Sequence, residues 1–259
     1  MLLAGFLVAL FLLPPYAFAL LVAAVVALAG HEWGRLAGLG TRISGGYGVV
    51  LGALVAASAW LLPAGGAWRD LLLGAGALFW LLLAPAWLRG DMGGSRRPAL
   101  VAAGGVVLPV AGLAALSLPP VELLLVLGLA WIADTAAYFA GNAYGRRKLA
   151  PLLSPGKTWE GVAGAAVATS IYAIICAWPG GPLNAAVHGL QWAAYLAGAA
   201  LLCAVSILGD LFESALKRRA GAKDSGGLLP GHGGILDRID SAMPTLPIAA
   251  ILLQGLPRA

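Results

Sequence analysis

VLGLAWIADTAAYFAG, residues 126–141, is a helix-length hydrocarbon run with one carboxylate, Asp134, in its interior. The apolar segment around it spans 121–141, and about 20 apolar residues are enough for a helix to cross a bilayer. A carboxylate at such a depth is expensive, and it faces the interior of a helix bundle or a polar cavity. Tyr138 lies four residues on and shares its face. The run therefore reads as a transmembrane helix that carries chemistry.

Similar apolar segments fall near 2–13, 15–30, 46–62, 71–88, 99–117, 161–178, 190–211 and 242–256. The chain is 61% hydrophobic and only 10% charged, far below the roughly 25% charge of a soluble domain. The alternation of a β-barrel is absent. The fold class is all-α: a polytopic integral membrane protein with about nine transmembrane helices. The first two segments are short and meet at Pro14-Pro15, and the last is short and holds Pro244 and Pro247. The N-terminal run lacks a basic flank and a small-residue cleavage site, so it reads as part of a hairpin rather than a removed signal peptide. Residues 1–120 are N-terminal transmembrane helices. Residues 121–259 form a C-terminal transmembrane catalytic region with loops at 142–160 and 212–241. Cys176 and Cys203 read as buried small side chains. Many of the 37 glycines lie within apolar runs, where they permit close helix packing and a homodimer.

The cations orient the chain. Loops 31–45, 89–98, 142–160 and 212–241 carry fourteen of the 16 Lys and Arg residues, and the intervening loops carry only Arg69. This bias places those four loops in the cytoplasm. The net charge of +5 sits in short loops against a membrane, which fits anionic lipid head groups and a phosphate-rich substrate rather than nucleic acid.

Two acidic pairs flank the last loop. Asp210 and Glu213 are spaced i,i+3 at the end of segment 190–211, with Ser214 next to them. Such a pair repels unless a cation lies between, and Mg²⁺ takes hard oxygens shared with substrate phosphates. An ordinary interfacial pair with the loop lysines is the alternative. Asp237 and Asp240 repeat the spacing before the last segment, so the two pairs can converge on one polar site; helix capping is the other reading of Asp240. Between the pairs run Lys217, Arg218, Lys223, Asp224 and a glycine-rich stretch with Gly233 and Gly234, whose amides could approach an anion. His232 is open to a base, a phosphate-donor or a structural role. Zinc is excluded by the lack of Cys or His partners. In loop 142–160, Lys157 and Thr158 could reach phosphate, and Glu160 suits a helix N-terminus. His31 and Glu32 read as interfacial residues, since no HExxH pattern is present, and His188 as peripheral.

The string Ser214, Lys217, Arg218, Lys223, Asp224, Pro230, His232, Gly233, Gly234, Asp237, Arg238 and Asp240 resembles the C-terminal signature of the phosphatidate cytidylyltransferase (CDP-diglyceride synthase) family. Upstream, Asp134, Ala137, Tyr138, Gly141, Ser154, Pro155, Lys157, Thr158, Glu160 and Gly161 match a second family pattern, and Gly209, Asp210, Glu213 and Ser214 match its G-D-x-x-E-S junction. The resemblance implies transfer of the cytidylyl group of CTP to phosphatidate in a bacterial inner membrane, with one or two Mg²⁺ ions. It implies that Asp210, Glu213, Asp237 and Asp240 hold metal, and that Asp210, Asp237, Lys223, Asp224 and Asp240 serve the chemistry. It implies that Asp134, Tyr138, Lys157, Thr158, Ser214, Lys217, Arg218, His232, Gly233, Gly234 and Arg238 bind substrate. Membrane lipids are the surroundings. The rival readings are a CTP-dependent polyprenol kinase, a CDP-archaeol-type synthase and, in another class, a membrane transporter, which would distribute its ionisable residues along a midplane path.

Overall fold

Helix α2, Pro15–Leu36, starts with proline at its first position and ends where Gly38 adopts φ +87° and the Leu39 amide returns to the Gly34 carbonyl at 2.9 Å. The computed structural model describes residues 2–61, 66–90, 96–183, 187, 189, 191–227 and 233–254. Before α2 lies α1, Leu2–Leu12; after it come α3, Thr41–Leu61, and α4, Ala67–Leu78. A π turn, Phe79–Leu83, joins α4 to α5, Ala84–Arg89. Pro85 follows that turn, and a proline cannot supply the N–H of a regular helical bond. Then come α6, Arg97–Ser117, α7, Pro120–Tyr144, α8, Trp159–Ala177, α9, Gln191–Arg219, α10, Leu236–Ile239, and α11, Ala242–Gln254.

Among the described residues, seven helical spans are long and apolar enough to cross a membrane: α2, α3, α4 through α5, α6, α7, α8 and α9. Helices α1 and α11 have 11 and 13 residues, short of the ~20 that a bilayer requires. Of the three segments that read as short in the sequence, 15–30 belongs to a span-length helix, α2, while 2–13 and 242–256 do not reach that length. Helix α11 is buried from Met243 to Ala250. It ends near the start of α4, where Gln254 Nε2 donates to Asp70 Oδ1 at 3.3 Å.

Several boundaries differ from the sequence reading, α2 among them, which runs to Leu36 rather than 30. Helix α9 continues to Arg219, past the expected end at 211, because Glu213 and Lys217 pair at i,i+4 and the last turn carries Lys217, Arg218 and Arg219. Cations there complement the helix dipole. The 142–160 loop contains a small antiparallel hairpin, β1 Lys148–Ala150 with β2 Ser154–Thr158.

Small residues set the closest helix contacts. A Cβ on Gly48 would overlap the Ala27 carbonyl, and one on Gly52 would overlap the Ala23 carbonyl, so α2 and α3 pack backbone to backbone. Gly48→Val is expected to cost about 1–3 kcal/mol by overpacking, read as a lower unfolding midpoint in detergent. Gly46→Val, at an open position, is the control; equal effects at both sites would refute the assignment.

An aromatic cluster locates α9. Phe212, fully buried, packs within ring-centroid distances of 5.4–6.1 Å of Trp33, Phe79, Trp80 and Trp87. Trp33 Nε1 donates to the Leu100 carbonyl at 2.8 Å. Phe212 lies between Asp210 and Glu213, so this packing fixes the helix turn that presents both carboxylates.

Candidate functional site

Thr158 ends β2 and caps α8 through Oγ1, which accepts from the Gly161 amide at 3.1 Å. Glu160, in the first turn of α8, accepts from the Arg146 and Arg147 amides at 3.1 and 3.2 Å. These contacts close the base of the hairpin on α8. Ala137, Gly141 and Gly161 bring α7 and α8 together: a Cβ on Gly161 would press on the Ala137 carbonyl, and one on Gly141 on Thr158. The result is a cavity of about 510 Å³ under the hairpin, lined by Asp134, Tyr138, Lys157 and Asp210 among others. Tyr138 is exposed into it and meets Phe139 edge-on at 5.5 Å.

Two carboxylates, Asp134 and Asp210, line this cavity, and Asp240 lies close enough to feel the charge of both. Asp210 Oδ2 pairs with Lys157 Nζ at 2.5 Å, and Ser214 Oγ donates to Asp210 Oδ1 at 3.4 Å. Asp134 Oδ2 accepts from Ser241 Oγ at 3.0 Å. Asp240 stands beside both acids: burial, then the charges of Asp210 and Asp134, push its carboxyl up to about 7. A Cβ on Gly209 would overlap the Asp240 carbonyl, so the glycine of the G-D-x-x-E-S junction lets the last loop lie directly on α9.

The other members of the two acidic pairs form a second cluster. Lys217 Nζ sits between Glu213 Oε2 at 2.5 Å and Asp237 Oδ1 at 2.7 Å. Asp237 Oδ2 accepts from Gly234 N at 2.8 Å, Ser225 Oγ at 3.0 Å and Ser225 N at 3.1 Å. Burial opposes ionisation of Asp237, but contacts with Glu213, Lys217 and the two amides outweigh it and hold the carboxyl below the ordinary range. Gly233, at φ +77°, provides the turn that aims the Gly234 amide. The pairs thus converge crosswise, Asp210 with Asp240 and Glu213 with Asp237.

The second cluster includes a residue that the sequence reading set aside. Glu32, on α2, is buried, and its carboxylate accepts from Ser225 Oγ and Leu236 N at 2.9 Å and Ile235 N at 3.0 Å. The available signal was its place just beyond apolar segment 15–30, on a helix that in fact continues to Leu36.

The remaining candidates are more dispersed. Arg218 is exposed, reaches the Leu153 carbonyl through Nε at 3.4 Å, and lines a second cavity of about 670 Å³ with Arg89 and Arg219. Lys223, Asp224 and Arg238 are exposed. His232 and His188 lie outside the described residues.

In the first cluster Asp210 is paired with Lys157 and Asp134 with Ser241, and carboxylate oxygens are the ligand type that a hard divalent cation takes. Among the described residues no three His, Cys, Asp or Glu side chains are already set around one point.

Comparison with known proteins gives the same direction. The cytidylyltransferase family profile matches residues 1–256. A phosphatidate cytidylyltransferase of Pseudomonas aeruginosa is 41% identical over 255 residues, covering 94% of this chain and 90% of that protein. One from Haemophilus influenzae is 36% identical over 269 residues, covering 95% and 93%. One from Thermotoga maritima is 41% identical over 138 residues, covering 52% and 51%.

Proposed function

Because the chain belongs to the cytidylyltransferase family, we propose that this membrane nucleotidyltransferase moves the cytidylyl group of CTP to phosphatidate, giving CDP-diacylglycerol and pyrophosphate. The observation that carries this reading is the cavity under the hairpin, which Asp134, Asp210 and Lys157 line together, with Lys157 paired to Asp210. The basic loops face the cytoplasm, where CTP is found.

A phosphate oxygen of phosphatidate attacks the α-phosphorus of CTP, and pyrophosphate leaves in line. The nucleophile is already ionised near neutral pH, so no general base is required. Two anions must approach, and neutralising their charge is the main task. Lys157 meets the substrate phosphates at the cavity wall. Asp210 and Asp240 would hold Mg²⁺, with Asp134 supporting the same region through its bond from Ser241. Bound there, Mg²⁺ supplies charge stabilisation at phosphate oxygens. Glu213 and Asp237 are already engaged with Lys217 and shape the loop instead. Arg218, with Arg89 and Arg219, offers guanidinium groups suited to a triphosphate.

The test is incubation of the purified protein in detergent with Mg²⁺, phosphatidate or a polyprenol in its place, and CTP labelled in parallel reactions at the α-phosphate, which reports cytidylyl transfer, or at the γ-phosphate, which reports phosphorylation of polyprenol. The α label is expected in lipid only with phosphatidate, with one pyrophosphate released per CDP-diacylglycerol. The γ label entering polyprenol phosphate, or no α label entering lipid, overturns the proposal.

A further inference from the structure

The groups assigned above lie on α7, β2, α9 and the approach to α11, yet the last loop is also held from the N-terminal half. Glu32 is 1% exposed. Its three donors, Ser225 Oγ, Ile235 N and Leu236 N, are neutral and lie 193 to 204 positions along the chain. The packing leaves no slack: a Cβ on Gly226 or Gly234 would overlap the Glu32 carboxylate, and on Gly234 also Ser225 Oγ. Ser225 Oγ lies 2.9 Å from Glu32 and 3.0 Å from Asp237, so its single O–H, which can donate to only one of them at a time, is shared between the two acids.

We propose that Glu32 is a positioning residue for the reaction. It fixes the backbone entering α10 at Ile235 and Leu236, and thereby sets Asp237 and, one turn on, Asp240 and Ser241 against Asp210 and Asp134. The catalytic part of this inference rests on the cytidylyl-transfer reading; the anchoring part does not.

The site demands acceptors only. Leu236 N and Ser225 Oγ approach one carboxylate oxygen and Ile235 N the other. A glutamine of the same shape turns its NH₂ toward one of those amides in either orientation. One buried N–H then faces another donor and loses its bond. Glu32→Gln therefore disturbs this segment without changing volume.

The experiment is hydrogen exchange by mass spectrometry on detergent-purified wild type, Glu32→Gln and Ser225→Ala, with turnover measured on the same samples. In Glu32→Gln, exchange at the described residues of this segment, 225–227 and 233–240, is expected to rise by about tenfold or more, the effect of losing a buried hydrogen bond, while α7 and α8 keep wild-type protection. Turnover and kcat/KM should fall together, since ground-state binding of CTP does not involve Glu32. Wild-type protection over 225–227 and 233–240, or equal loss of protection in all helices, overturns the proposal. If Glu32→Gln yields no folded protein, Ser225→Ala carries the test: raised exchange confined to the same segment supports it, and unchanged exchange overturns it. Wild type that does not turn over CTP and phosphatidate overturns the proposed function, while the exchange comparison still decides the anchoring role.

Discussion

Asp210→Asn is expected to lower cytidylyl transfer by about 10²–10³-fold or more, the range for removing one preorganised electrostatic contact from a reacting phosphate or oxyanion. Asparagine keeps the size of the side chain and an oxygen for Ser214, but it abolishes the charge that faces Lys157. The Lys157–Asp210 pair is partly open to solvent, with side-chain exposures of 22% and 29%, so its loss should cost only about 0–1 kcal/mol of stability. The two readouts therefore separate: steady-state turnover collapses while the thermal midpoint in detergent hardly moves. A variant that keeps turnover within a factor of a few of wild type would remove Asp210 from the reaction.

Lys217→Ala should have the opposite signature, a failure of stability first. Its ammonium is the cation between Glu213, whose side chain is 1% exposed, and Asp237, 11% exposed. Deleting one partner of a buried ion pair leaves uncompensated charge and costs about 3–5 kcal/mol. Replacing both members with apolar groups, as in Lys217→Met with Glu213→Leu, should recover part of that loss, because the stranded carboxylate goes too. Thermal unfolding of the single and double variants checks both statements. An unchanged midpoint in Lys217→Ala, or a double variant less stable than the single, contradicts this role for the lysine.

The membrane architecture was legible because hydrophobic length is a local property. Segments such as 99–117 and 121–141 needed no tertiary information; 2–13 and 242–256 were ambiguous for the same reason that α1 and α11 fall short of a span, and 15–30 was ambiguous because its helix runs on past the apolar stretch to Leu36. The extension of α9 to Arg219 was harder to see, since polarity marks where hydrocarbon ends and not where a helix ends. At the site, the i,i+3 spacing suggested that Asp210 with Glu213, and Asp237 with Asp240, act as pairs, whereas the structure sends the members of each pair to different clusters. The spacing could not tell which member of one pair would meet which member of the other. That depends on how the loop crosses α9, which the close approach at Gly209 decides. Glu32 escaped notice because its partners are two main-chain amides and a serine, and main-chain donors leave no mark in a residue pattern.

The long reach from Glu32 to its donors also has a consequence in time. Ribosomes add about 5–20 residues per second, so the 193 positions separating Glu32 from Ser225 take roughly 10–40 s to make at those rates. Helices α2 and α3, joined by a short turn, have all their mutual contacts long before that. The growing chain therefore passes through a stage in which an assembled helix hairpin carries a carboxylate whose donors have not yet been synthesised, and water must solvate it until they arrive. Closure of the last loop onto α2 is then a late event of biogenesis, and a chain arrested before residue 225 retains an acid that its own sequence has no means to satisfy.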